Sequence, residues 1–392
     1  MENEILIGDC AETLKTIPDE SVDLIVTDPP YGYEFCGLDW DKALPSLEAL
    51  KECVRVLKSG SFGFFMCAPR QDVMAEMIMQ LKKAGFETAF SSIFWIYTTG
   101  MPKSNGTIRL LEQRYSNEVT LTTEVINEQF EKFDGSYVGL QLKPAAEPIL
   151  CVMKPIKEKT YLDQALANGK GVSWLSDCKI PWSIGDAEVC ENGDDNVGRF
   201  PANVLCCDDA LNDGRINKGT NETMARTAGA GALGQNKGWN DHNNKPTVHV
   251  TCNDTGSYSR FFDLDAWFKS KLPPKVAQAF PSLIVPKPTA SERNKYAENN
   301  HPTVKPLKLM SYLITMGSRF GDLVLDPYVG SGTTLEAANT LGRKFIGCEL
   351  DQQYKDLIEA RAFKRSFSKK DEQTSINWFD SEEDKSPIDK KW

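Results

Sequence analysis

The sequence contains no apolar run that approaches the roughly 18 to 20 residues needed to cross a bilayer. Its first four residues, Met-Glu-Asn-Glu, are acidic and do not resemble the basic start of a secretory signal. The chain also has no internal repeat. We therefore expect a protein that works in the cytoplasm without a membrane partner.

Metal-ligand and disulfide patterns are missing as well. The 11 cysteines are spread over 392 residues, and none forms a C-x-x-C pair, so we expect reduced thiols. The nearest candidates for a zinc site are Cys178, Cys190, Cys206, Cys207 and Cys252, with only His242 and His249 nearby. The spacing does not favour a metal.

Excess positive charge is absent, since the net charge is -10. A nucleic-acid partner would therefore need a local basic face. Residues 1–31 hold eight acidic residues and one lysine, whereas residues 287–308 hold five basic and two acidic residues. A bound polyanion would contact the second stretch.

The composition is that of an ordinary globular protein, with 41% hydrophobic and 26% charged residues. The first 150 residues alternate strand-like runs, near 5–7, 22–27, 61–66, 88–97 and 147–153, with helical periodicity over 44–58 and 71–84. The pattern returns as a helix over 305–318, strands at 322–325 and 344–348, a helix ending near 341 and a last helix over 352–365. This alternation predicts an α/β fold with a doubly wound sheet built from both ends of the chain.

The chain divides into four parts. Residues 1–154 and 301–365 form the two halves of the predicted catalytic domain. Residues 155–300 form an insertion rich in Gly, Asn, Asp and Pro, in which 211–250 reads as a long loop that is functional or disordered. Residues 366–392 are polar and predict a disordered tail.

A glycine-rich turn lies between the strand at 322–325 and its helix. Residues 326–334 read D-P-Y-V-G-S-G-T-T, so Gly330 and Gly332 would let a ligand approach the backbone at the carboxyl edge of the sheet. The next strand ends at Glu349, which can accept hydrogen bonds from ribose hydroxyls. A tight βα turn is the alternative. No lysine follows the glycines, which excludes a P-loop.

A second motif follows the strand at 22–27. Residues 28–31 read D-P-P-Y, and the prolines make the segment rigid. A rigid turn is again the alternative. Functionally, the segment brings together the Asp28 carboxylate, the Pro29 carbonyl and the Tyr31 ring. Two acceptors and a stacking surface suit an aromatic amine.

The two motifs in this order resemble DNA amino-methyltransferases of the β arrangement, in which the D-P-P-Y motif precedes the target-recognition segment and the cofactor motif comes last. Shorter pieces resemble phage and prophage members of that group; they lie at residues 100–104, 142–149, 198–203, 256–262 and 301–306. The resemblance covers roughly residues 3 to 363. Val329, where the family usually has Phe, and residues 280–288 depart from the pattern.

The resemblance implies a Rossmann-like methyltransferase sheet, mostly parallel with one antiparallel strand, and a circularly permuted motif order. It implies that Asp28, Pro29, Pro30 and Tyr31 hold a flipped base, with Tyr31 acting by stacking rather than through its hydroxyl. S-adenosyl-L-methionine would be bound by Asp9, Asp326, Gly330, Gly332, Thr333, Glu349, Thr303 and Lys305. Among these, Asp9 would accept from the adenine amino group, Glu349 would bind ribose, and Thr303 and Lys305 would lie near the methionine end.

The implied activity is transfer of a methyl group to the N6 amine of an adenine in double-stranded DNA, in a bacterial or phage-infected cell. The flipped base is required because the amine is unreachable inside a duplex. A homodimer and a cognate restriction enzyme are further expected partners. No Pro-Cys pair is present for methylation of a ring carbon.

Three alternatives remain open. Methylation of cytosine N4 is the first, although family members that act there more often have Ser in place of Asp28. A nicotinamide-dependent dehydrogenase is the second, since a glycine turn and a distal acid also describe a dinucleotide site. A DNA-binding protein that has lost catalysis is the third.

Overall fold

The computed structural model describes most of the two predicted catalytic halves and little of the insertion. The described residues are 2–33, 41–97, 105–116, 123–140, 142, 144–181, 198, 200–206, 217, 218, 255, 256, 262–271, 293, 294, 299, 301 and 303–363. Most of 211–250, all of 280–288 and the tail at 366–392 lie outside the described residues, so the predictions made for them are not addressed.

Within the described residues, eight strands form the main sheet: β1 (Glu4–Ile7), β2 (Leu24–Thr27), β3 (Phe62–Met66), β4 (Ile93–Ile96), β5 (Ala146–Met153), β6 (Val204–Leu205), β7 (Leu323–Asp326) and β8 (Lys344–Glu349). Their order across the sheet is β1-β8-β7-β2-β3-β5-β4-β6. Only β5 runs against its neighbours, β3 and β4, while the other pairings are parallel. This confirms the predicted mostly parallel sheet with one antiparallel strand.

The α-helices in the described part of the chain are α1 (Cys10–Thr13), α2 (Leu47–Val56), α3 (Gln71–Ala84), α4 (Thr107–Tyr115), α5 (Thr123–Lys132), α6 (Tyr161–Asn168), α7 (Leu264–Lys271), α8 (Leu307–Gly317), α9 (Thr333–Thr340) and α10 (Lys355–Phe363). Sequence signals explain several ends. The Ser46 hydroxyl accepts from the Ala49 amide at the start of α2, and α3 ends at Gly85 in a left-handed conformation.

Helices cover both faces of the sheet because side chains alternate along each strand. Leu24 and Val26 face a core that includes α7, α8, α9 and α10, whereas Ile25 faces a second core that includes α1, α2 and α3. Phe64 and Phe65 of β3 divide between the two cores in the same way. The sheet is therefore doubly wound, as predicted.

The two halves of the chain meet in the middle of the sheet. Strand β2, which precedes the D-P-P-Y motif, pairs in parallel with β7, which precedes the glycine turn. The carboxyl ends of parallel neighbours lie at the same edge, so the two motifs come together although about three hundred residues separate them.

Part of the predicted insertion belongs to this domain. Strand β6 pairs with β4 at the edge of the sheet, and α7 buries Leu264, Trp267 and Phe268 in the core beside α8. The indole of Trp267 donates to the Asp177 carbonyl at 2.7 Å. Several elements between 155 and 300 are thus structural supports of the sheet.

Candidate active site

The site begins where β2 and β7 end side by side. The Thr27 hydroxyl donates to Oδ1 of Asp326 at 2.6 Å, and the Tyr328 amide donates to the same oxygen at 3.0 Å. Burial raises the pKa of Asp326 to about 6, although these hydrogen bonds oppose the shift. The buried Asp326 side chain therefore links the end of β7 to the end of β2 through the Thr27 hydroxyl.

A cleft opens at this edge of the sheet. Its walls include six residues predicted for the site: Asp28, Thr303, Lys305, Asp326, Gly330 and Thr333. His301, Met310, Tyr328, Val329, Ser331 and Thr334 complete the lining. Asp28 of the predicted base-holding motif thus shares one cleft with five of the residues predicted to hold the cofactor.

The glycine turn shapes one wall of the cleft. Gly330 and Gly332 have positive φ values of 53° and 87°, which glycine adopts without strain. A side chain at Gly330 would approach the His301 ring to 3.0 Å. The Thr333 hydroxyl is buried and has no hydrogen-bond partner among the described residues. The unpartnered Thr333 hydroxyl fits a polar ligand such as a nucleoside.

Glu349 lies beside this turn at the end of β8. Its Oε2 accepts from the Gly330 amide at 2.8 Å, and its Oε1 accepts from the Asp351 amide at 3.0 Å. Burial raises the pKa of Glu349. Each oxygen keeps a second lone pair for a ribose hydroxyl.

Asp9 lies at the same edge, after β1, but does not line the cleft. It is exposed, and its Oδ1 accepts from the Ala11 amide at 2.8 Å to cap α1. The adjacent Gly8 amide donates to the Glu349 carbonyl at 2.8 Å. Asp9 thus stands next to the Glu349 strand, and its role toward adenine stays a prediction.

The D-P-P-Y segment holds Asp28 in a fixed position. The Tyr31 hydroxyl donates to Oδ1 of Asp28 at 2.6 Å. Burial, and then the negative charge of Asp28, raises the pKa of Tyr31 well above its usual value, so the phenol stays protonated. Pro29 is buried and Pro30 half-buried between these two residues.

Asp41, which sequence reasoning missed, organises the backbone after this motif. Its Oδ1 accepts from the amides of Tyr31 at 2.7 Å and Gly32 at 3.0 Å, and its Oδ2 accepts from the Tyr33 amide at 3.2 Å. The side chain is buried, with 2% of the residue exposed. The sequence spacing does not predict that Asp41 accepts from these amides, because Asp41 follows Tyr31 by ten residues and the contact depends on the tertiary fold.

Lys305 lies between two carboxylates. Its Nζ is 2.5 Å from Oδ2 of Asp28 and 3.3 Å from Oε2 of Glu147, and it lies 5.6 Å from the centre of the Tyr31 ring. Burial lowers the pKa of Lys305, but attraction by the two carboxylates outweighs it and raises the pKa above its usual value. Lys305 therefore stays charged and contacts the predicted base site as well as the cofactor side of the cleft.

The remaining predictions concern the family-like sequence pieces, the cysteines, a metal site and membrane-spanning helices. Residues 100–104, 143, 199, 257–261 and 302 fall in the family-like pieces but lie outside the described residues. Among the described cysteines, Cys10, Cys53, Cys67, Cys151 and Cys348 are free thiols. Within that part, no group of three or more His, Cys, Asp or Glu side chains could hold a metal ion, and no helix is long and apolar enough to cross a membrane.

The chain is similar to several known proteins. The sequence pattern of the N6/N4 DNA methylases matches residues 22–360 of the chain. The type II methyltransferase M.HinfI of Haemophilus influenzae is 25% identical over 382 residues, which cover 92% of this chain and 68% of that protein. M.MthZI of Methanothermobacter thermautotrophicus, also a type II methyltransferase, is 55% identical over 56 residues, or 14% of this chain and 16% of that one. The solved PvuII DNA methyltransferase (cytosine-N4-specific) aligns at 15% identity over 97% of this chain and 94% of that one, with a TM-score of 0.43.

The protein is thus a methyltransferase with a doubly wound sheet and a permuted order of motifs. It belongs to the N6/N4 DNA methylase family. The predicted cofactor, S-adenosyl-L-methionine, and the predicted DNA substrate are confirmed at this level. The match decides against the dehydrogenase alternative.

Proposed function

We propose that the protein methylates the N6 amine of adenine in double-stranded DNA at a specific sequence. The observation that carries the proposal is the carboxylate of Asp28, which lines the cleft, follows β2 directly before Pro29 and accepts from the Tyr31 hydroxyl. Family members that act on cytosine N4 more often have serine at this position. A carboxylate therefore favours adenine.

The residues of the site suit the chemistry of an aromatic amine. Bound S-adenosylmethionine supplies a methyl group on a positively charged sulfur. The amine is a poor nucleophile because its lone pair is delocalised into the ring. Acceptance of its hydrogens by Asp28 and the Pro29 carbonyl would favour a pyramidal nitrogen, and the rigid segment fixes its orientation toward the cleft. The Tyr31 ring would stack on the extruded base.

Within the cleft, we assign cofactor binding to the glycine turn and its neighbours. Gly330 and Gly332 would pass under the cofactor, Glu349 would accept from its ribose hydroxyls, and Asp9 from its adenine amine. Thr303 would lie toward its methionine end. Hydrogen bonds to a buried carboxylate such as that of Glu349 are the strong class of such contacts.

Expression in a host that lacks DNA methylation tests the base assignment. Mass spectrometry of digested host DNA separates N6-methyladenine from N4-methylcytosine, and sequencing that detects modified bases gives the site. We expect N6-methyladenine in one short motif. N4-methylcytosine alone would overturn the adenine assignment, and unmethylated DNA in the presence of folded protein would favour a DNA-binding protein without catalysis.

We propose further that residues 155–300 select the target sequence. The support is that this range interrupts the βα pattern and leads into the basic stretch 287–308. Only parts of the range support the sheet, such as β6 and α7. If exchange of 207–261 with the corresponding segment of a relative leaves the methylated sequence unchanged, that segment does not select the target.

A homodimer, a cognate restriction enzyme and a cytoplasmic site of action remain predictions. Light scattering on the purified protein tests the first. Cleavage of unmethylated host DNA by a partner encoded beside the gene tests the second. Labelling of the expressed protein in cells tests the third.

A further inference from the structure

Both carboxylate oxygens of Asp28 are engaged. Tyr31 donates to Oδ1 at 2.6 Å, and the Lys305 ammonium contacts Oδ2 at 2.5 Å. A charge-assisted bond of this kind is roughly twice as strong as one between neutral groups. Each oxygen keeps a second lone pair, but an ammonium 2.5 Å from Oδ2 occupies the space beside that oxygen. A neutral amine gains full access to Oδ2 only if the ammonium moves to another acceptor.

Glu147 provides such an acceptor. Its Oε2 is already 3.3 Å from the Lys305 Nζ, and this oxygen is buried without a well-aligned hydrogen bond in the described part of the chain. Its other oxygen accepts from the Tyr97 hydroxyl at 3.4 Å. The side chain is only 14% exposed, so water cannot fully compensate for the missing bond. A short movement of Nζ would give Oε2 a full partner.

We propose that Glu147 is a positioning residue that receives the Lys305 ammonium and frees Oδ2 of Asp28 for the target amine. The inference rests on the proposed function, because it takes Asp28 as the acceptor of that amine. It applies equally to adenine N6 and cytosine N4.

The charge balance of the transfer supports this movement. Methyl transfer would leave the carbon–sulfur electron pair on the departing neutral thioether and would place positive charge on the target nitrogen, which would then give a proton to Asp28 and on to water. An ammonium held against Asp28 would oppose positive charge there, whereas the two carboxylates and one ammonium together carry a net negative charge. When the Lys305 ammonium moves toward Glu147, the negative charge of Asp28 stays next to the nitrogen of the target amine.

A double-mutant cycle separates this role from that of a simple counter-ion. The variants are Glu147→Gln, Lys305→Met and their combination, each assayed in a single turnover with saturating tritiated S-adenosylmethionine and unmethylated chromosomal DNA. Glu147→Gln should lower the transfer rate by about 10- to 100-fold. Cofactor affinity, measured by calorimetry, should stay within about twofold, since Glu147 acts through Lys305 and not on the cofactor.

In the Lys305→Met background, the same Glu147→Gln change should have no further effect, because no ammonium remains to be received. Lys305→Met itself should keep measurable transfer. The inference fails if Glu147→Gln transfers at the wild-type rate, if the effects of the two substitutions multiply, or if Lys305→Met is inactive at saturating cofactor.

Asp23→Asn is the matched control. Asp23 is also a buried carboxylate between two lysines, Lys58 at 2.5 Å and Lys170 at 2.8 Å, but it precedes β2 at the opposite edge of the sheet. This variant should lose thermal stability and keep the wild-type transfer rate. If Glu147→Gln does not fold, Glu147→Asp gives the same test, since its shorter reach should slow transfer only when Lys305 is present. Absence of methylation by the wild-type protein would overturn the proposed function, whereas an unimpaired Glu147→Gln would overturn this inference alone.

Discussion

The hydroxyl of Tyr31 donates a 2.6 Å hydrogen bond to Oδ1 of Asp28, so the two side chains of the D-P-P-Y motif act as one unit. Sequence reasoning gave Tyr31 a stacking role and left its hydroxyl without a task. In the structure the hydroxyl fixes the direction in which the carboxylate points. The Tyr31 ring is half-buried, and its role as a stacking surface for a base stays a prediction.

Tyr31 substitutions should separate these two contributions. Tyr31→Phe removes a hydrogen bond to a charged group and should cost about 1.5 to 3 kcal/mol of transition-state stabilisation. Tyr31→Ala also removes a stacking surface worth about 1 to 3 kcal/mol, so it should be slower still. The kcat/KM values of the two variants, each compared with the wild type, measure the contribution of the hydroxyl and that of the ring. Wild-type activity in Tyr31→Phe would show that the hydroxyl has no role in catalysis.

Asp28→Ala should abolish methyl transfer and leave cofactor affinity within a few fold, because Asp28 acts on the amine of the base. Titration calorimetry with S-adenosylmethionine measures the affinity, and incorporation of tritium into DNA measures the transfer. Loss of cofactor binding together with activity would place Asp28 in the cofactor site instead.

Glu349→Ala should show the opposite behaviour. Its carboxylate holds the Gly330 amide at 2.8 Å and is the proposed ribose acceptor. Removing it should weaken cofactor binding by about 1 to 3 kcal/mol. The transfer rate at saturating cofactor should fall much less than in Asp28→Ala. An unchanged dissociation constant would contradict the ribose assignment.

Asp41→Asn tests the support behind the motif. An amide NH2 would replace one oxygen that accepts from the amides of Tyr31, Gly32 or Tyr33, leaving a buried donor without its acceptor. The cost should be about 1 to 3 kcal/mol in the free energy of unfolding, measured in urea. The transfer rate should also fall at saturating cofactor. A variant with lower stability but normal transfer would show that Asp41 does not position the catalytic segment.

Asp326 should make stability depend on pH. Burial raises its pKa to about 6 in the folded protein, above the value of about 4 for an unfolded chain. Its stabilising contribution is therefore complete below about pH 4 and is lost as the pH rises through 6. Relative to Asp326→Asn, the wild type should lose about 1 kcal/mol of unfolding free energy between pH 5 and 7.5. A difference that does not vary with pH would contradict the raised pKa.

Local patterns predicted much of the fold. Periodicity and the glycine at 85 gave α3 at its observed bounds, and apolar runs located β2, β3, β7 and β8. The strand predicted near 88–97 is shorter, and the last helix begins at Lys355 after a 3₁₀ turn. Such ends depend on tertiary packing. Strand β6 has only two residues, and its pairing with β4 cannot be read from so short a run.

The position of the candidate cleft was predictable where a motif carries its own chemistry, as at residues 28–31 and 326–333, while the roles of these residues stay predictions. Residues that act through long-range contacts were not. Glu147 lies in the family-like piece at 142–149, but the sequence does not show that it contacts Lys305. That contact depends on the antiparallel direction of β5. Asp41 likewise gains its role from the return of the chain to the motif.

The central pairing of β2 with β7 has a consequence for synthesis on the ribosome. Residues 24–27 emerge early, but their neighbour at 323–326 is translated almost three hundred residues later. Until then, β2 has an open apolar edge in a half-built sheet, which is a template for aggregation. Messages that end prematurely should therefore yield insoluble fragments, and slow translation of the last third should increase dependence on chaperones.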